Sequence, residues 1–311
     1  MSVGKTILSL FPRIFSVGRF EVRVYRQGVG LVGMTTPSEQ LWFKKIAKEY
    51  AIRSGAIVDL GSWMGSTAIP LAQGLREGAT EETPKRVQAI DRYVWEEWMR
   101  PFSSELHCDY IPGDSFLPEA RKRFLAEGNI IPIQADLATY QWGGEEISIL
   151  LIDAMKSVEL AVAIATQFYP HINPGSCLIH QDYKHYYTPW IHVLQYRLRH
   201  KFLPFHDVIG SSSFAFKVRS KIERNELLQA ASLDQVADGE LASAIDYSLG
   251  LVENPGKANI AASHVKHVLN SGRVHEAREL LENYSNQFGW SGELLVVSGL
   301  LDAHSGKRGK W

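Results

Sequence analysis

The segment Val58-Asp59-Leu60-Gly61-Ser62-Trp63-Met64-Gly65-Ser66-Thr67 gathers one carboxylate, two glycines and three hydroxyls, and it begins in a run of strand-forming apolar residues. Glycine at 61 permits a tight turn, and glycine at 65 lets the backbone approach a bound group closely. A helix opening after this turn leaves its first amides without helical partners, free to meet a polar ligand. The combination is a nucleotide-type cradle. A dinucleotide site calls for GxGxxG, which seats a pyrophosphate on the helix start. Here the spacing is GxxxG, with Trp63 and Met64 filling the middle and leaving little room for two phosphates.

Other polar residues stand where apolar runs end: Asp91 after VQAI, Asp136 just after IIPIQ, Asp153 after SILLI, and His180 after SCLI. They can act together only if the runs lie side by side with these ends at one edge. The runs 56–60, 87–90, 130–134, 148–152 and 176–179 have strand length, and helix-period segments at 66–75, 118–127 and 158–169 alternate with them. That alternation predicts an α/β fold, a Rossmann-like doubly wound and mostly parallel sheet with helices on both faces. The ligand crevice of such a sheet lies at the carboxyl ends of its strands. A further helix is predicted at 189–200, and runs at 206–209 and 213–218, joined through Gly210-Ser211-Ser212, complete a seven-stranded sheet with a hairpin.

In this order the motifs resemble those of class I S-adenosylmethionine-dependent methyltransferases. The pattern is an acidic residue, then GxxxG followed by Ser or Thr, an acid closing the second strand, another after the third, Asp153 at the end of the fourth, and Pro174-Gly175 before the fifth. The resemblance covers roughly residues 35–218. It implies S-adenosyl-L-methionine as cofactor, with Asp59, Gly61, Ser62, Trp63, Gly65, Ser66 and Thr67 forming the binding loop. It further implies Asp91 on the ribose hydroxyls, Asp136 near the adenine, and Asp153 beside the cofactor. The reaction implied is direct in-line methyl transfer, with the methyl carbon about 3 Å from the acceptor atom and positioning supplying most of the acceleration.

The stretches Leu151-Ile152-Asp153-Ala154-Met155-Lys156 and Ile179-His180-Gln181-Asp182-Tyr183 are similar to the branch that includes macrocin O-methyltransferase. The similarity implies an acceptor hydroxyl on a sugar or small molecule. That branch has an acidic pair after the fourth strand and another acid after the fifth, able to hold a divalent cation. Here Met155 stands in place of the second acid, and Gln181 stands beside Asp182. Hard cations want several oxygen ligands, so no dedicated metal site is expected, and a divalent cation is the alternative. Without metal a base must take the acceptor's proton. His180 is the expected general base, with Asp182 as orienting or alternate base and Asp153 next; Lys156 could recognise an anionic acceptor. His185, Tyr186, Tyr187, Trp190 and His192 form either a stacking surface for the acceptor or a buried helix face. Tyr93, Trp95 and Trp98 either line the adenine side or belong to the core.

Three parts are predicted: a cap segment at 1–34, the sheet domain at 35–218, and an all-α appendage at 219–311, where strand-like runs stop. Within the last, 259–269 and 274–284 flank a Ser271-Gly272 turn as one tetratricopeptide-type hairpin. Stable arrays need about three repeats, so helices packed on the sheet domain are expected, with a partner-binding array as the alternative.

The 311 residues carry 33 Lys and Arg against 34 Asp and Glu, a net charge of −1 that draws the chain to neither nucleic acid nor an anionic membrane. At 45% hydrophobic and 22% charged, the composition is that of a folded globular protein rather than a disordered one. Cys108 and Cys177 make no disulfide framework and no CxxC pair, which fits a reducing, cytoplasmic setting. No apolar run is long enough to span a bilayer, and homo-oligomerisation is left open. Two rival readings remain: a non-catalytic methyltransferase-fold adaptor working through the C-terminal helices, and a nicotinamide-dependent sugar-modifying enzyme.

Overall fold

The computed structural model describes residues 13–17, 20–26, 32–79, 85–106, 109–234 and 236–304. In chain order the elements are β1 (Arg13–Val17), β2 (Phe20–Arg26), β3 (Val32–Gly33), α1 (Pro37–Tyr50), β4 (Ala56–Leu60), α2 (Ala68–Gly78), β5 (Val87–Asp91), α3 (Ser103–Leu106), α4 (Leu117–Leu125), β6 (Ile130–Gln134), β7 (Ile147–Ile152), α5 (Val158–Phe168), β8 (Ile172–His180), α6 (Pro189–Arg197), β9 (Phe202–Asp207) and β10 (Phe214–Val218). Then come α7 (Arg224–Ala230), α8 (Asp238–Leu249), α9 (Gly256–Asn270), α10 (Val274–Phe288) and α11 (Gly292–His304), while Glu97–Phe102 and Tyr169–His171 are single 3₁₀ stretches.

Seven strands form one sheet in the order β6-β5-β4-β7-β8-β10-β9. The first five run parallel, and β10 is antiparallel to both β8 and β9. Every residue of β4 and β7 is buried, as central strands covered on both faces require. From β4 the chain winds outward through β5 to β6, then returns to the other side of β4 as β7. The order therefore reverses between β4 and β7, the switch point at which such sheets open a crevice. Part of the cap segment, β1 to β3, makes a separate antiparallel sheet; the rest of it before residue 32 lies outside the described residues.

Helix α1 is absent from the periodicity reading, although its start is written in the chain. Thr36 Oγ1 accepts from Glu39 N at 3.2 Å, Glu39 Oε2 accepts from Thr36 N at 2.6 Å, and Pro37 takes the first helical position. Its inner face packs on α2, where a side chain at Gly74 would run into the Lys44 carbonyl. Helix α2 starts at Ala68, two residues later than predicted, because Ser66 and Thr67 belong to the glycine loop. The Asn173-Pro174-Gly175 turn falls inside β8, where the register jumps: Ile172 pairs with Ile147 and Cys177 with Ile149, so the residues between them bulge.

The helices after residue 218 share the core of the sheet. Leu241, Ile245, Val252 and Ile260 pack in one cluster with Leu178, Phe214 and Phe216. A polar link crosses the same junction, with Tyr183 Oη 2.8 Å and His192 Nδ1 3.0 Å from Ser248 Oγ. Beyond it, α9, α10 and α11 build a second apolar cluster around Val265, Leu281, Leu294 and Val297. Cys177 is buried as a free thiol, and Cys108 lies outside the described residues. Among the described residues no helix is long and apolar enough to cross a membrane.

Candidate functional site

The glycine loop leaves β4 at the switch point. Gly61 has φ +87°, and a Cβ there would stand 2.5 Å from the Asp153 carbonyl oxygen, so only glycine lets the β4 and β7 ends come together. Asp153 N donates to Leu60 O at 2.8 Å and Gly61 N to Ile90 O at 2.9 Å, fixing the turn between both neighbouring strands. Gly65, at φ +95°, lies under the Phe124 ring of α4. Ser66 is held from above, its carbonyl accepting Thr35 Oγ1 at 3.1 Å.

Asp59 sits beneath this loop with no exposed surface. Thr67 Oγ1 donates to its Oδ2 at 2.7 Å, whereas Oδ1 has no hydrogen-bond partner. Burial pushes its carboxyl up to about 8, against the lowering effect of the Thr67 hydroxyl. Ser62 and Trp63 are also buried, with Ser62 Oγ 2.8 Å from Tyr93 Oη and the Trp63 ring edge-on to Phe102. The Trp63 indole nitrogen is a second buried atom without a partner.

Asp91 closes β5, and its two oxygens accept different backbone amides: Oδ2 from Trp63 at 3.0 Å and Oδ1 from Tyr93 at 2.7 Å. Burial raises its carboxyl above the ordinary value, and these two amides work in the opposite direction. Asp136 lies on the rim beyond β6, exposed, and caps its own turn by accepting Ala138 N at 2.9 Å. It joins the site through its neighbour, since Ala135 N donates to Asp91 O at 2.9 Å. Of the aromatic residues after Asp91, Tyr93 and Trp95 are core, and Trp98 is half-buried.

On the other side of the switch point, Asp153 and Asp182 face one ammonium. Lys156 Nζ lies 2.6 Å from Asp153 Oδ1 and is also paired with Asp182 Oδ2, while its side chain stays 40% exposed. With its amide nitrogen turned toward the acids, Gln181 donates to Asp153 Oδ1 at 3.1 Å and to Asp182 Oδ1 at 2.9 Å. Burial lifts the Asp153 carboxyl to about 7; Lys156 opposes the rise and Asp182 adds to it. Trp190 Nε1 donates to Met155 O at 2.9 Å, setting the wall of this corner.

His180 is not in the crevice. It is fully buried below it, with Nε2 3.1 Å from Tyr169 Oη and 2.9 Å from Gln195 Nε2. Burial drives its imidazole down to about 3, despite the nearby Asp182, so it is neutral at physiological pH. The final residue of β8 points into the face covered by α5 and α6, and only the next residues turn toward the ligand edge. The structure thus holds His180 in the core, away from the edge where the sequence reading expects a general base. His192 is likewise buried in the core. Glu39 was missed altogether. It is buried, accepts Ser213 Oγ at 2.6 Å, and its capping-box spacing after Thr36 was the signal that could have located it.

The strand order, the reversal at β4 and β7, and the glycine loop with Asp91 across from it together settle the architecture. The chain has a Rossmann-like, doubly wound α/β fold with a seven-stranded, mostly parallel sheet. No family model matches the chain, and neither does any curated protein. Solved structures with this fold do resemble it. The O-methyltransferase NovP is 16% identical over 59% of this chain and 80% of its own, with a TM-score of 0.44. The calicheamicin methyltransferase CalS11 is 12% identical over 58% of this chain and 78% of its own, at 0.45. A phosphoethanolamine N-methyltransferase from Haemonchus contortus is 12% identical over 64% of this chain and 54% of its own, at 0.38.

The sequence resemblance to methyltransferases implies S-adenosylmethionine, and the residues present can be tested against it. Asp59 Oδ1 is a buried polar atom left without a partner beneath the loop, and the half-buried Asp91 carboxylate suits vicinal hydroxyls. A divalent cation fits less well. The groups aimed at the Asp153 and Asp182 carboxylates are an ammonium and an amide N–H, both donors, and no group of three or more His, Cys, Asp or Glu suited to a metal occurs among the described residues.

Proposed function

We propose that the protein is an S-adenosylmethionine-dependent methyltransferase acting on a hydroxyl of a sugar or other small molecule. The observation that carries this reading is the convergence of Asp59, the Gly61–Thr67 loop, Asp91 and Asp153 on the switch point of the sheet. S-adenosylmethionine, when bound, supplies the electrophilic methyl group. Asp59 and Asp91 bind and orient at the β4 and β5 ends, and Asp136 bounds the rim. Asp153 takes the acceptor's proton: its Oδ1 is occupied by Lys156 and Gln181, which leaves Oδ2 for the hydroxyl, and its carboxyl near 7 suits a general base. Tyr187 and Trp190 flank that carboxylate as the acceptor wall. Calorimetry of the full chain with S-adenosylmethionine and S-adenosylhomocysteine tests the reading, followed by methyl transfer to a panel of sugar and phenolic hydroxyls. Folded protein that binds neither compound overturns it.

One observation favours a second reading, a non-catalytic adaptor with the same fold. Ser62, Trp63 and Met64 are all buried and the Phe124 ring presses on Gly65, so the loop is closely covered by protein. The adaptor reading predicts the calorimetric null.

A further inference from the structure

The Asp153–Asp182 corner is built around a positive charge supplied by the chain itself. Lys156 follows Asp153 by three residues on the β7–α5 connection and turns back, so that its ammonium meets Asp153 Oδ1 at 2.6 Å and Asp182 Oδ2 at the same time. Tyr187 stands beside it, with Lys156 Nζ 5.8 Å from the ring centroid and the Tyr187 hydroxyl 3.5 Å from Asp182 Oδ1. Gln181, with its amide nitrogen oriented toward the acids, reaches the same two carboxylates. Two carboxylates this close repel one another unless a cation lies between them, and a hard metal ion would need further oxygens, not donors, around it.

We propose that the Lys156 ammonium stands where a divalent cation would otherwise join Asp153 and Asp182, so that this chain positions its acceptor without a metal. The inference rests on the methyltransferase reading for its meaning, yet its test needs neither cofactor nor acceptor. Lys156 is a positioning residue here. It holds the two carboxylates together and keeps a positive charge at the crevice, reachable through the exposed part of its side chain.

The test is Mn²⁺ titration of the full chain, followed by electron paramagnetic resonance, on the unmodified protein and on Lys156→Ala, Lys156→Gln and Lys156→Arg. The expected result is no stoichiometric uptake by the unmodified protein or by Lys156→Arg, with one equivalent bound at least ten-fold more tightly by the neutral variants. Stoichiometric uptake by the unmodified protein at submillimolar Mn²⁺ overturns the proposal, because the lysine would then yield its place to the metal. Absence of uptake by both neutral variants overturns it as well, since the carboxylates would then form no cation site. If Lys156→Ala fails to fold, Lys156→Gln, which removes the charge but keeps a polar side chain, gives the same reading. A calorimetric null with S-adenosylmethionine would defeat the methyltransferase reading while leaving these titrations unchanged.

Discussion

The Asp91 carboxylate accepts the backbone N–H of Trp63 at 3.0 Å, which ties the tip of the glycine loop to the end of the neighbouring strand. Trp63 and Tyr93, whose amides Asp91 accepts, are also the non-glycine residues described with positive φ, at 42° and 52°. Bulky residues hold that conformation only when their surroundings impose it. Asp91 is thus both a proposed cofactor ligand and the clamp that keeps the loop in shape.

Asp91→Ala is expected to weaken S-adenosylhomocysteine binding by roughly 1.5 to 3 kcal/mol, the range for lost hydrogen bonds to a charged group. It should also lower the melting temperature, because two strained residues lose their anchor. Calorimetry and thermal unfolding of the same preparation check both. Unchanged affinity would remove Asp91 from the binding site.

Gly65→Ala combines two penalties. The backbone is at φ +95°, and the new methyl would lie 2.6 Å from Phe124 Cε1 and 2.9 Å from Ile69 Cδ1. A loss of about 1 to 3 kcal/mol in urea unfolding is expected. Adding Phe124→Leu should return the steric part of that loss and leave the conformational part.

Asp59→Asn should make the protein more stable and a poorer binder. The folded state holds the Asp59 proton up to about pH 8, whereas the unfolded chain releases it near the ordinary aspartate value of 3.8. Between these values the folded form carries more protons, so the Asp59 contribution to stability falls as pH rises through that window. The variant lacks this fall. Its melting temperature should exceed that of the unmodified protein by a margin that grows from about pH 5 to pH 8, while cofactor affinity drops. Parallel melting curves that never diverge would show that Asp59 does not titrate in this range.

The pH dependence of methyl transfer separates Asp153 from His180. With its carboxyl at about 7, facing Lys156, Asp182 and Glu39, Asp153 becomes a competent base as pH rises through neutrality. The rate should climb through that region and lose the limb in Asp153→Asn. His180→Leu should keep the midpoint, because an imidazole held near 3 contributes nothing there. It should instead cost about 1 to 3 kcal/mol of stability by removing the ring nitrogen that both Tyr169 and Gln195 meet in the core. A midpoint that moved in His180→Leu would restore the histidine to the chemistry.

Much of the fold was legible because its signals are local. Ala56–Leu60 and Ile130–Gln134 match the predicted strands residue for residue, since a short apolar run bounded by turn residues has few other solutions. Helix α1 escaped because its evidence is a capping box and not a long apolar period. The C-terminal boundary near 219 follows a real change of composition, yet α8 and α9 bury their faces in the core of the sheet, which composition does not record.

The sequence by itself determined the order of strands and helices, the glycine turn, and the acids at strand ends, because each depends on residues adjacent in the chain. Tertiary structure alone decided which of those polar groups meet. His180 is the last residue of β8 and packs into the core, whereas Asp182 lies in the turn beyond the strand, where it meets Lys156. The same holds for Lys156, whose charge gains its role only where β7 and β8 end side by side.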